Sequence, residues 1–287
     1  MADDGGAQSV IAELPVAQPA YMHSFGMTRR HLVLAEFPFV VSPFRLLLRG
    51  QPFIRNYRWE PERGLRLHVI EKDGGGLLRT METDAAFAFH HVNAFERGGE
   101  LMVDLVAYPD AGIIDQLYLA RLRSAAPFDA SGRLTRYVIP LAQSEPIRKE
   151  PITDAGIELP RIDYGGCAGR RYRYVWGAGV RLLGNFLDSL VKVDVETGRD
   201  EKWWEDGCYP GEPVFVPTPG AAAEGEGVLL SVVLDAARRR SFLLLLDAQS
   251  MAEIARAECP HQIPFGFHGN YFPSTAGGVA LEVDHRH

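Results

Sequence analysis

Of the nine histidines in this chain, three sit where an imidazole could be aimed at a shared centre. His23 lies in YMHSFGMT, His90 in FAFHHVNAFE and His268 in PFGFHGNYF, each among aromatic and small residues. Neutral imidazole is a common metal ligand and the one side chain that exchanges protons near neutral pH. A single histidine in such a setting reads more readily as a core residue with its ring nitrogens bonded to backbone. Spacing does not decide between the two, because there is no HxxxH or HExxH and the only HxH is His285-Arg286-His287, in a tail expected to fray. Two carboxylates stand in unusually apolar, proline-rich settings, Glu158 in GIELPRIDY and Glu212 in YPGEPVFVP. On their own, both also read as solvent-facing turn residues.

Ligands so far apart in sequence need a fold that brings distant strands to one axis. Short apolar or alternating runs with turn residues between them predict strands at 31–35, 65–70, 101–106, 133–139, 171–176, 189–194, 227–234, 242–246 and 278–283. LRLHVIEKDGGGLLRTMET, SLVKVDVETGRDEKWWED and SFLLLLDAQSMAEIARAECP each read as a strand, a tight turn and a return strand. Only 113–123 reads as helix for more than two turns, and the Ala/Glu/Gly stretch 220–227 reads as a surface loop. The fold class is therefore all-β. A β-propeller suits the histidines, since each innermost strand can aim one side chain at the central axis.

The chain has 287 residues, 46% of them hydrophobic, which is enough for a sizeable core in one domain. Its net charge of -7, from 30 Lys+Arg against 37 Asp+Glu, argues against nucleic acid or an anionic membrane as the main partner and leaves a small molecule. Cys167, Cys208 and Cys259 are odd in number and scattered, forming neither a disulfide framework nor a CxxC site. The acidic start MADDGGAQSV lacks the features of a secretory signal, and no run approaches the roughly 20 apolar residues of a membrane span. Cytoplasm is the expected location. The apolar stretch from Phe37 to Leu48 is expected to be buried core in preference to a membrane-dipping patch that gathers a greasy substrate.

YMHSFGMT, FAFHHVNAFE, PFGFHGNYF and GEPVFVPTPGAAAEGEGVLLSVVLD together resemble, in order, blocks of the carotenoid cleavage oxygenases, from about Tyr21 to the C-terminus. The resemblance implies a seven-bladed β-propeller holding one Fe(II) on its axis with four histidines and no carboxylate ligand. Three of the four carry over: His23, His90 and His268. His91 is the less favoured of the adjacent pair, because the family pattern sets the ligand directly after the phenylalanine, and neighbouring side chains on a strand point to opposite faces. Glu158 and Glu212 match family carboxylates that accept the second ring N–H of ligand imidazoles and so fix tautomer and orientation. Phe89, Phe95, Phe265 and Phe267 flank the ligands, where they either line a substrate tunnel or pack.

The implied chemistry is Fe(II)-dependent addition of O2 across one conjugated double bond of a carotenoid or apocarotenoid, giving two carbonyl products. Cleavage of a stilbene is the alternative within that fold, and an isomerase a more distant one. Outside the enzyme class stand an inactive fragment and a non-catalytic propeller that binds an apolar ligand. Family members are usually much longer. Residues 1–20 read as an acidic, flexible segment and 21–287 as a partial oxygenase-like propeller, with the opening blades, the fourth histidine and a further glutamate expected from a missing N-terminal segment or a second chain.

Overall fold

The computed structural model describes residues 9–272, apart from 49, 125, 129–131, 143, 144 and 183. The strand expected at 278–283 and the His285/His287 pair lie outside the described residues. Regular structure opens with β1 (Gly26–Met27), β2 (His31–Glu36), β3 (Phe39–Val41), helix α1 (Pro43–Leu48), β4 (Tyr57–Trp59), β5 (Leu65–Glu71) and β6 (Leu77–Thr83). β1, β2, β5 and β6 are successive neighbours in one antiparallel sheet, while β3 and β4 pair apart. A continuous seven-stranded sheet follows. Its strands are β7 (Phe87–Arg97), β8 (Glu100–Tyr108), β9 (Arg133–Pro140), β10 (Arg148–Arg161), β11 (Tyr174–Gly179), β12 (Ser189–Asp194) and β13 (Asp200–Trp203). The last sheet holds β14 (Cys208–Pro210), β15 (Val214–Pro217), β16 (Gly227–Asp235), β17 (Arg240–Asp247) and β18 (Glu253–Glu258), with β14 and β15 both paired to β16.

The seven-stranded sheet is two blades joined by one long strand. β10 pairs with β9 from Arg148 to Gly156 and with β11 from Ile157 onward, so its first half is the outer strand of one blade and its second half the inner strand of the next. The described residues thus form four consecutive four-stranded blades, with β1, β7, the end of β10 and β14/β15 innermost. These sheets form an open arc and do not close on themselves.

Sequence texture follows position in the blade. β8 (ELMVDLVAY) is buried almost throughout, because neighbouring blades cover both faces and no alternation is needed. The outermost β18 (EIARAE) and β13 (DEKW) are short, charged and exposed, which blunts their free edges against unwanted pairing. Trp176 links the last two blades: its ring is fully buried, stacks on Phe215 at 4.8 Å and donates its indole N–H to the Ala248 carbonyl.

The three expected hairpins are present as β5–β6, β12–β13 and β17–β18. β11 begins at Tyr174 rather than 171, because the N–H groups of Arg173 and Tyr174 go to the carboxylate of Glu224, reaching in from the 220–227 loop. The helix expected over 113–123 is instead two short pieces, α2 (Gly112–Gln116) and α3 (Leu119–Leu122). Tyr118 breaks it by adopting an extended conformation, with its ring beneath Arg55 at 5.1 Å. The apolar stretch 37–48 also divides: Phe37, Phe39, Val40 and Val41 are buried, whereas Phe44 on α1 is 76% exposed. Among the described residues no helix is long and apolar enough to cross a membrane.

Candidate metal centre

Each innermost segment of the arc delivers one polar group to the axis. His23 comes just before β1, His90 from β7, Glu158 from the end of β10, Glu212 from the break between β14 and β15, and His268 from the irregular segment after β18. The ligand-capable ring nitrogens of His23, His90 and His268 all lie within 4.8 Å of one another. The ring of His90 stands 5.1 Å from each of the other two.

Two strands reach this arrangement through β-bulges. On β7 the register runs Ala88↔Ala107 and then His91↔Leu105, so Phe89 and His90 together face the single residue Val106. On β10 it runs Glu158↔Ala178 and then Arg161↔Trp176, so Leu159 and Pro160 face Gly177. A bulge re-aims side chains that a regular pleat would send elsewhere. Leu159 sits at φ 50, left-handed for a non-glycine residue, and its N–H bonds back to Glu158 Oε2 at 2.8 Å. Such strain persists only where the surrounding structure holds it, and it clusters at functional sites.

The carboxylates set the protonation pattern. Glu158 is 6% and Glu212 9% exposed, so neither is a solvent-facing turn residue. His90 Nδ1 lies 2.6 Å from Glu158 Oε2, and His268 Nδ1 lies 3.0 Å from Glu212 Oε1. Glu158 Oε1 also accepts the Tyr108 hydroxyl at 2.8 Å, and Glu212 Oε2 accepts the Gly269 N–H at 2.7 Å. An ionised carboxylate can only accept, so each Nδ1 carries a proton, and in the neutral ring that ligates a metal each Nε2 then keeps a bare lone pair. The two Nε2 atoms face each other at 3.3 Å. With both rings neutral, two acceptors in contact are what a cation resolves, so the donor set fits a metal ion. Burial, reinforced by the neighbouring His90 and His268 rings, lowers the pKa of His23 and favours the neutral, ligating form.

His91 points away from this centre. It is half-buried, its Nδ1 lies 2.9 Å from Ser24 Oγ, its Nε2 is buried without a partner, and desolvation holds its pKa at about 3. Gly26 of β1 packs closely over it: an added Cβ would stand 3.3 Å from Ala94 Cβ and 3.4 Å from the His91 ring.

Beside the histidines is a cavity of about 450 Å³ with largely apolar walls, including Tyr21, Phe89, Ile113, Leu117, Phe186 and Phe265. Phe267 also lines it. Phe95 does not. It lies six positions beyond Phe89, roughly 20 Å further along the strand at about 3.3 Å per residue. There it is core, 2% exposed, against Tyr172 and under Arg136. Sequence reasoning passed over Tyr108, Ser24 and the pair Arg161–Asn270, where Arg161 Nη2 donates to Asn270 Oδ1 at 2.9 Å beside Glu212. None of these carries a local motif; their contacts span 50 to 109 residues.

Fold and site together define a β-propeller with an axial cluster of imidazoles. Residues 2–273 match the family model described as "Retinal pigment epithelial membrane protein", RPE65. The chain is 37% identical to a mitochondrial carotenoid-cleaving dioxygenase of Macaca fascicularis, over 93% of this chain and 56% of that protein. It is 35% identical to the chloroplastic carotenoid cleavage dioxygenase 8 of Arabidopsis thaliana, over 89% of this chain and 47% of that protein. The crystal structure of cobalt-substituted Synechocystis ACO superposes with a TM-score of 0.80 at 28% identity, covering 89% of this chain and 53% of that one. This chain belongs to the RPE65/carotenoid cleavage oxygenase family and spans about half the length of the relatives it matches. Its fold is accordingly of the seven-bladed propeller type, here an open part of the ring.

Proposed function

We propose that this chain carries three imidazoles and one cavity wall of an Fe(II)-dependent dioxygenase that cleaves a conjugated C=C bond of a carotenoid or apocarotenoid into two carbonyl products. The observation that carries this reading is the convergence of His23, His90 and His268 beside a largely apolar cavity. Names of relatives that include carotenoid cleavage support the substrate class. His23, His90 and His268 would hold the metal, with Glu158 and Glu212 as the acceptors behind two of them. Bound iron would supply the redox chemistry with O2.

The chain's own contribution is placement and dryness. Glu158 and Glu212 hold the Nδ1 protons, so that Nε2 stays basic and oriented. Phe89, Phe186 and Phe265 give a rigid polyene an apolar bed and keep water from the reacting bond. No side chain is assigned as a general acid or base. The proposal extends to residues 21–287 acting as a partial propeller, completed at the axis by a preceding segment or a second chain that brings a further histidine. It also extends to a cytoplasmic protein that touches a membrane to collect its substrate. Exposed Phe44, Leu46 and Phe53, next to the cavity-lining Ile54, support that contact.

Anaerobic reconstitution with Fe(II) tests the centre. The expected result is close to one iron per chain, lost in a His23→Ala, His90→Ala, His268→Ala variant. Equal iron in both proteins, or none in either, overturns the assignment.

A further inference from the structure

His23 is the odd member of the trio. Carboxylates hold the rings of His90 and His268, but among the described residues none hydrogen-bonds the ring of His23. Its placement must come from the backbone on either side. On one side, the Tyr21 N–H donates to the Phe39 carbonyl at 2.8 Å. On the other stands Ser24, whose Oγ makes three contacts with β7. It donates to the Phe89 carbonyl at 2.8 Å, accepts the His91 N–H at 2.8 Å, and lies 2.9 Å from His91 Nδ1.

A serine hydroxyl has one proton to give and two lone pairs. Its proton goes to Phe89, so His91 Nδ1 must be the donor in the third contact, and the hydroxyl is then fully used. The two backbone groups it holds flank His90 on either side. They lie in the bulge of β7, which among the described residues pairs with β8 alone and so has an open edge whose polar groups need partners. Consecutive Cα atoms are about 3.8 Å apart, so fixing Ser24 fixes the residue before it.

Resting on the metal-site reading above, we propose that Ser24 is a positioning residue. Its hydroxyl pins the His23 segment to both peptide groups around His90 and thereby sets the distance between the two imidazoles. His91 serves as the base plate of that clamp, which accounts for a second histidine beside the ligand.

The test is anaerobic Co(II) titration of the full chain, read by the visible d–d absorption of the bound ion, in the wild type and in Ser24→Ala, Ser24→Thr and Tyr172→Phe. Tyr172→Phe removes a buried hydroxyl bonded to Asp104, away from the histidines, and controls for general loosening. Ser24→Ala should bind Co(II) about 10- to 100-fold more weakly with an altered spectrum, the usual loss when a ligand's support is removed. Ser24→Thr and Tyr172→Phe should keep wild-type affinity and spectrum. Unchanged binding by Ser24→Ala overturns the inference while the metal site stands. No Co(II) bound by the wild type removes the metal-site reading and this inference with it. Should Ser24→Ala not fold, Ser24→Thr decides: wild-type binding supports the clamp, and a folded threonine variant that has lost the site overturns it.

Discussion

Single side chains at the axis work by deciding where protons sit. A carboxylate behind His90 makes its Nε2 a better donor to a cation, and the Tyr108 hydroxyl keeps that carboxylate in line. Glu158→Gln preserves shape but removes the charge and offers an N–H in place of one acceptor. It should weaken metal affinity by about 10- to 100-fold. Tyr108→Phe, which leaves the carboxylate in place, should cost less than Glu158→Gln. Metal titrations of the two variants check that order, and equal losses would contradict it. At this scale the sequence was informative where a residue type is rare. Histidines flanked by aromatics and two carboxylates among prolines stood out, whereas Tyr108 and Ser24 did not, because tyrosine and serine are common and their contacts cross from one strand or blade to another.

Elements place these groups through local irregularity rather than regular pleat. Gly177 lies opposite the bulge of β10, where an added Cβ would stand 2.5 Å from Ile157 Cγ1 and 2.7 Å from the Glu158 carbonyl. Gly177→Ala therefore forces β10 and β11 apart at Glu158. It should cost about 1–3 kcal/mol, as overpacking of a core does, and appear as a lowered Tm together with weakened metal binding. A second element-level device joins the turn after β1 to the end of β7. Against the upward push of burial, hydrogen bonds from Arg30, Thr28 and His31 bring the Glu96 carboxyl from an ordinary 4.5 down to about 2. A depressed carboxylate contributes stability that is present above its unfolded pKa and lost as pH falls through the folded one. Thermal unfolding should thus lose this contribution between about pH 4.5 and about pH 2, and Glu96→Gln should flatten the Tm profile over that window. Hairpins were legible because strand, polar turn and strand are contiguous. The bulges and the broken helix at Tyr118 were not, since the first depends on pairing across strands and the second on a distant Arg55.

At the scale of the whole molecule, the recurring short apolar runs with turns between them correctly implied an all-β core, and the resemblance supplied the ring; neither could say which apolar residues stay outside. The stretch 37–48 is continuous in hydropathy, yet β3 buries its half between packed strands while α1 turns Phe44 and Leu46 outward, and Phe53 follows at 61% exposure. Ile54, next in sequence, lines the cavity, so this patch stands at the edge of the proposed substrate bed. Full burial of a phenylalanine is worth about 1.5–3 kcal/mol, and two of them acting together change a partition constant by tenfold or more. Phe44→Ser with Phe53→Ser should therefore reduce co-sedimentation with phosphatidylcholine vesicles at least about tenfold at unchanged Tm. With a net charge of -7 the chain gains no general attraction from anionic lipid, so its binding should be no stronger on phosphatidylserine-containing vesicles and should survive 0.5 M salt. Binding that follows anionic lipid content and vanishes in salt would place the contact on basic residues instead of Phe44 and Phe53.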